Sequence, residues 1–226
     1  MTESAHDIST FPPRRGFFRR LASGTMALAL AGFVPTTLRA EQGSELSDGP
    51  DWPSPLKGRH RQVVDAYAPN DGFPLAFGFT FLATNGPASA TLVPATAVIV
   101  LRHTAFPIAL GHEMWRKYKI GESLNITDPE TKALAVKNPF FEPKPGVLLV
   151  DDMALDRLLA AGTIVGACNV ALKVLSGKLA ANAGVSAEEA AKEWAANVVA
   201  GITVIPSGTW GVNRAQERGC TYCAGG

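Results

Sequence analysis

The strongest constraint on this chain is one heptapeptide, ATAVIVL, Ala95–Leu101. Its residues are continuously apolar or β-branched, whereas a strand with one wet face alternates apolar with polar residues. Such a strand needs cover on both sides, as in the middle of a parallel sheet packed between helices. Polar Arg102 and His103 mark its end. Around it, strand-like and helix-like segments alternate. His60–Ala66 reads as a strand, and Phe73–Ala83 as an apolar helix entered after the Asn70-Asp71-Gly72 turn. Pro107 suits the first turn of a helix through about Tyr118, with Ile108, Met114 and Trp115 near one face.

Residues 121–145, with Gly121 and prolines at 129, 139, 143 and 145, read as a long excursion between core elements. Asp151 or Asp152 can cap a helix through Ala161, stopped by Gly162, and Thr163–Ala167 follows as a short buried strand. Val170–Leu175 reads as the next helix. Ser186 and Glu189 form a capping box opening a helix to about Ala200, and Ile202–Ile205 is a strand after Gly201. Ser207 caps a last helix that ends before Gly219. This alternation predicts an α/β class with a mostly parallel sheet. Ligands of such sheets collect beyond the carboxyl ends of the strands, where the next helices start. Three strand ends carry polar or reactive residues, Arg102–His103, Cys168–Asn169 and Ser207–Gly208, which share one edge if their strands are parallel.

The first forty residues differ from the rest. They hold five arginines against Glu3 and Asp7, leaving 16 basic and 18 acidic residues of the chain's 21 and 20 for the remainder. That remainder has no basic stripe to hold nucleic acid. Arg14–Arg15 and Arg19–Arg20 precede the weakly apolar run Leu21–Val34, 14 residues long. A bilayer needs roughly 20 helical residues, so this run suits an export leader. The pattern resembles a twin-arginine signal, which implies delivery to the periplasm by the twin-arginine translocase. The expected organisation is a leader over 1–40, a flexible Gly/Pro/Ser-rich lead-in over 41–58, and one α/β domain over 59–226.

An exported chain meets oxidising conditions, and this one carries three cysteines, Cys168, Cys220 and Cys223. The CxxC of Cys220 and Cys223 admits a disulfide, two structural thiols, or a redox or metal pair. If 220–223 is a strand, its two sulfurs face opposite sides. Cys168 lies in GTIVGACNVALK, where an apolar run meets a helix-like pattern. Buried free cysteine usually acts as a small hydrophobe. A thiol just past a strand and in the first turn of a helix instead sits at the positive end of the helix dipole, which favours the nucleophilic thiolate. Position alone leaves both readings open.

The segments GTIVGACNVALK and GITVIPSGTWGVNRAQERGCTY, together with AVIVLRHTAFPIALGHEMW, resemble the DsrE/DsrF-like sulfur-relay family over roughly residues 59–120 and 150–222. The resemblance implies a flavodoxin-like three-layer α/β fold, small oligomers, and a cysteine that carries sulfur as a persulfide. Cys168 falls on that cysteine position. The chain departs from the family in its export leader and in Cys220-Thr-Tyr-Cys223. The expected function is binding or relay of a small sulfur species, received from a small molecule or a sulfur-carrier protein. His103 would be a supporting base or donor partner, with Asn169, Ser207 and Gly208 around the anion and Trp210 and Asn213 as walls. The contrasting expectation is a non-catalytic periplasmic binding or assembly subunit with a buried structural Cys168. No phosphate loop, HExxH, nucleophile elbow or paired-carboxylate pattern is present, which leaves hydrolase and dinucleotide readings with little support; no metal ligands are assigned and the cofactor is unassigned.

Overall fold

A computed structural model describes residues 51–85 and 94–226. The arginine-rich leader and most of the lead-in lie outside the described residues. Among the described residues five strands form one sheet: β1 His60–Ala66, β2 Ala95–Leu101, β3 Ile164–Cys168, β4 Ile202–Ile205 and β5 Thr221–Ala224. Every pairing is parallel, in the order β4-β3-β2-β1-β5. The architecture is a flavodoxin-like three-layer α/β fold.

The heptapeptide is β2, near the middle of the sheet, and its residues from Ala97 to Leu101 are fully buried. Ile99 and Leu101 face a large core; Val98 and Val100 face a small one. The two cores follow from the connections. β1 to β4 are laid down side by side in one direction, so right-handed crossovers put their helices on one face. There lie α1 (Phe73–Asn85) and α5 (Asn169–Ala183), with Phe106, Trp115, Tyr118 and Trp194 buried beside them. The last connection runs back from the β4 edge to β5, beyond β1, so its helix α7 (Gly208–Glu217) covers the other face. The small core under α7 contains Val63, Val98, Val100, Ile205, Ala215 and Trp52.

Trp52 belongs to the stretch read as a lead-in, yet it is 3% exposed. It lies over Gly166 of β3 and Gly211 of α7. A Cβ on Gly166 would come within 2.6 Å of its ring, and one on Gly211 within 3.2 Å. The neighbouring backbone is tied to β2, because the Lys57 N–H donates to Thr96 Oγ1 at 2.9 Å and that hydroxyl donates to the Lys57 carbonyl at 2.7 Å. Over residues 51–58 the Pro/Gly/Ser composition corresponds to irregular backbone, and one aromatic side chain anchors it.

Other boundaries moved for identifiable reasons. The helix expected from Pro107 to Tyr118 is a 3-10 turn, His103–Ala109, followed by α2 (His112–Lys117). Leu110 between them is extended and bridges Val198, while the Asn138 amide donates to the carbonyls of Ile108 and Leu110. The same bridge stops α6 (Ala187–Ala196) before Ala200, since the Val199 N–H donates to the Ala109 carbonyl. The expected Asp151/Asp152 helix divides into a 3-10 turn, Asp151–Met153, and α4 (Leu155–Ala160). α5 runs eight residues beyond Leu175, and within that extension Gly177 faces the methyl of Ala187 at close range. The Ser186–Glu189 capping box and the Ser207 cap form as read. Among the described residues no helix is long and apolar enough to cross a membrane.

Candidate functional site

The helix after β3 lies on one face of the sheet and the helix after the adjacent β4 lies on the other. The two connections therefore diverge at the carboxyl end of the sheet, leaving a crevice between them, the usual ligand position in open parallel sheets. A cavity of about 570 Å³ opens there. Cys168, Arg102, His103, Ser207 and Gly208 all line it, so the three strand ends singled out from the sequence do converge.

Cys168 ends β3 and is also the N-cap of α5, with its Sγ accepting the Ala171 N–H at 3.3 Å. The side chain is 5% exposed, and the cavity reaches it. A fifteen-residue helix points its positive end at this sulfur, an arrangement that attracts negative charge. Ser207 caps α7 in the same manner, its Oγ accepting the Trp210 N–H at 3.1 Å and lying 3.1 Å from Thr209 Oγ1. Gly208 must be glycine because a Cβ would stand 2.5 Å from the Arg102 Cβ. The bare backbone lets the start of α7 close against the end of β2.

His103 has φ +47°, a left-handed conformation uncommon outside glycine and frequent at functional sites. Its ring stacks on Tyr67, with centroids 4.2 Å apart and planes within 9°. The Arg102 guanidinium also packs on the Tyr67 ring, 4.8 Å from the centroid. That guanidinium grips Asp65 in a bidentate pair, Nε to Oδ1 at 2.6 Å and Nη2 to Oδ2 at 2.9 Å, and the Tyr222 hydroxyl donates to Oδ2 at 3.1 Å. Hydrogen bonding to Asp65 holds the Arg102 proton more firmly than usual. Burial, then the bond to Asp65, pushes the Tyr222 hydroxyl up. Asp65, Tyr67 and Tyr222 were not singled out from the sequence. The available signal was register: β1 and β2 end level, with Ala66 opposite Leu101, so Tyr67 necessarily emerges beside Arg102.

The remaining candidates lie elsewhere. Asn169 opens α5 but does not line the cavity. Trp210 packs against Trp52, 6.2 Å between ring centroids, and Asn213 is exposed farther along α7. Only the first turn of α7 reaches the crevice, because its apolar side faces the small core on the far side of the sheet. Cys220 is buried in that small core, whereas Cys223 packs toward the large one. The strand alternation separates their sulfurs, both are free thiols, and burial pushes both above the ordinary thiol range. His112 sits beside Phe141, away from the crevice, and burial pushes it down. Among the described residues no cluster of three His, Cys, Asp or Glu side chains could hold a metal ion.

Away from the strand ends the cavity continues along α5, past Val174 and Leu175, to Lys178 and Leu179. Ser123 and Leu124 of α3 (Ile120–Leu124) form its far wall. The Asn182 amide ties that wall to α5 by donating to Ser123 Oγ and to the Tyr118 carbonyl, both at 3.0 Å. The lining includes Arg102, His103 and Lys178 and, among the described residues, no carboxylate. No known protein-family profile matches the chain, and no curated protein matches it.

Proposed function

We propose that this chain binds and relays a small sulfur species held as a persulfide on Cys168, in the manner of the DsrE/DsrF-like proteins that its sequence resembles. The observation that carries the reading is that Cys168, alone among the three cysteines, lines the cavity while capping a long helix. In the transfer step the Cys168 thiolate attacks the outer sulfur of a donor persulfide. The donor S–S bond breaks, a new S–S bond forms on Cys168, and the donor leaves as its thiol, so no external oxidant is needed. The Ala171 N–H and the start of α5 stabilise the anionic product, and His103 is placed at the cavity to exchange its proton. Donor and acceptor are a small sulfur compound or a sulfur-carrier protein, the chain acts as a homo-oligomer, and the twin-arginine leader delivers it to the periplasm. Replacing Arg14 and Arg15 with Lys should then retain the precursor in the cytoplasm.

Exposure of the purified chain to polysulfide, followed by peptide mass spectrometry, tests the relay. The Cys168 peptide should gain mass in single-sulfur steps that reductant removes. Cys168→Ser should abolish the gain, and Cys220→Ser/Cys223→Ser should keep it. Label confined to the C-terminal pair, or absent, would replace this reading with the non-catalytic binding or assembly role.

A further inference from the structure

We infer that the cavity is a binding groove for a medium-length amphipathic anion, with its acidic head beside Lys178 and its apolar tail laid along α5 toward Cys168. The shape comes first. Val170, Val174 and Lys178 line the cavity at four-residue intervals, as do Ala171, Leu175 and Leu179. Two adjacent rows of one helix thus form the floor, and eight residues of helix span about 12 Å at a rise of about 1.5 Å each. The groove therefore runs along α5, with Ser123 and Leu124 lining it together with the strand ends.

The lining chemistry selects the ligand. Leu124, Val170, Ala171, Val174, Leu175 and Leu179 supply an almost unbroken apolar surface. Val170 and Val174 are 55% and 49% exposed, which leaves branched apolar side chains open to water unless something lies over them. A sugar or polyphosphate laid on these side chains would lose hydration without gaining partners. Charge then sets the sign of the head group. Arg102 is offset by Asp65, no carboxylate lines the groove, and Lys178 forms no ion pair among the described residues. One uncompensated ammonium at the end of an apolar trough complements a single negative charge on an alkyl chain. This binding does not depend on sulfur chemistry at Cys168, although a tail ending in a sulfane sulfur would deliver it there.

Calorimetric titration of the purified chain with octanoate, decanoate and dodecanoate, each below its micelle concentration, tests the inference. Saturable one-to-one binding should tighten about fourfold per added methylene, the worth of one buried methylene, until the groove is filled. Decylammonium should fail to saturate. Lys178→Gln should weaken decanoate about threefold to fivefold, the scale of an exposed ion pair, while Lys173→Gln, on α5 but outside the groove, should leave it unchanged. Val174→Asn should weaken every alkanoate. Decanoate binding is read as heat on the unmodified protein and persulfide loading as added mass, so failure of the persulfide reading and failure of this one are separately visible. Absence of saturable decanoate binding, equal binding of decylammonium, or an unchanged Lys178→Gln affinity overturns the proposal and leaves a protein surface as the occupant of the trough.

Discussion

Removing the Arg102 guanidinium should destabilise the protein more than removing the Asp65 carboxylate that it grips. Asp65 is 6% exposed inside β1, whereas 27% of the Arg102 side chain is open to water. In Arg102→Met a buried carboxylate keeps only the Tyr222 hydroxyl, 3.1 Å away. Stripping the partner from a buried charge costs about 3–5 kcal/mol, and the surviving Tyr222 bond and partial solvent access reduce this to about 2–4 kcal/mol. Methionine retains packing against Gly208, so the loss reports the charge and its hydrogen bonds. In Asp65→Asn the guanidinium turns toward water and stays on the Tyr67 ring, and the cost is about 1.5 kcal/mol, the low end for a hydrogen bond to a charged group, because the freed cation is solvated. The double variant should fall short of the summed losses by about 1–2 kcal/mol, because the partners share one interaction. Equilibrium urea unfolding at neutral pH, with unchanged m, measures all three. Equal single losses, or additivity to within about 0.5 kcal/mol, would refute the reasoning.

Trp52→Ala should cost about 3–5 kcal/mol, the range for deleting a buried aromatic, because its ring fills the slot over Gly166 and Gly211. Thermal unfolding little changed by this substitution would show that the segment before β1 is not part of the core. His112 is held down chiefly by burial, with Glu142 opposing and Lys137 and Arg116 reinforcing the shift. The neutral ring therefore contributes stability above its unfolded value near about pH 6.5, lost as pH falls through that value toward the lower folded one. His112→Gln should lose less stability than wild type over that descent; parallel profiles for the two proteins would contradict the assignment.

Much of this architecture is legible in the sequence. β2 was bounded to the residue because continuous β-branched hydrophobicity has few solutions besides a strand covered on both faces. The caps at Ser186 and Ser207 were equally plain, since a cap is made by atoms within three residues of each other. With the strands parallel, the convergence of Arg102–His103, Cys168 and Ser207–Gly208 follows from strand direction alone. Tertiary structure decided what depends on the direction of each crossover and the register of each pair. The return from β4 to β5 put α7 on the far face, which carried Trp210 and Asn213 away from the crevice and drew Trp52 under the sheet. Level ends of β1 and β2 brought Tyr67 and Asp65 to Arg102. The length of α5 made a groove with Lys178 at its end, hidden from a reading that ended this helix at Leu175. Local patterns are set by neighbours along the chain; a site assembled from β1, β2, β3, α5, α7 and β5 is set by neighbours in space.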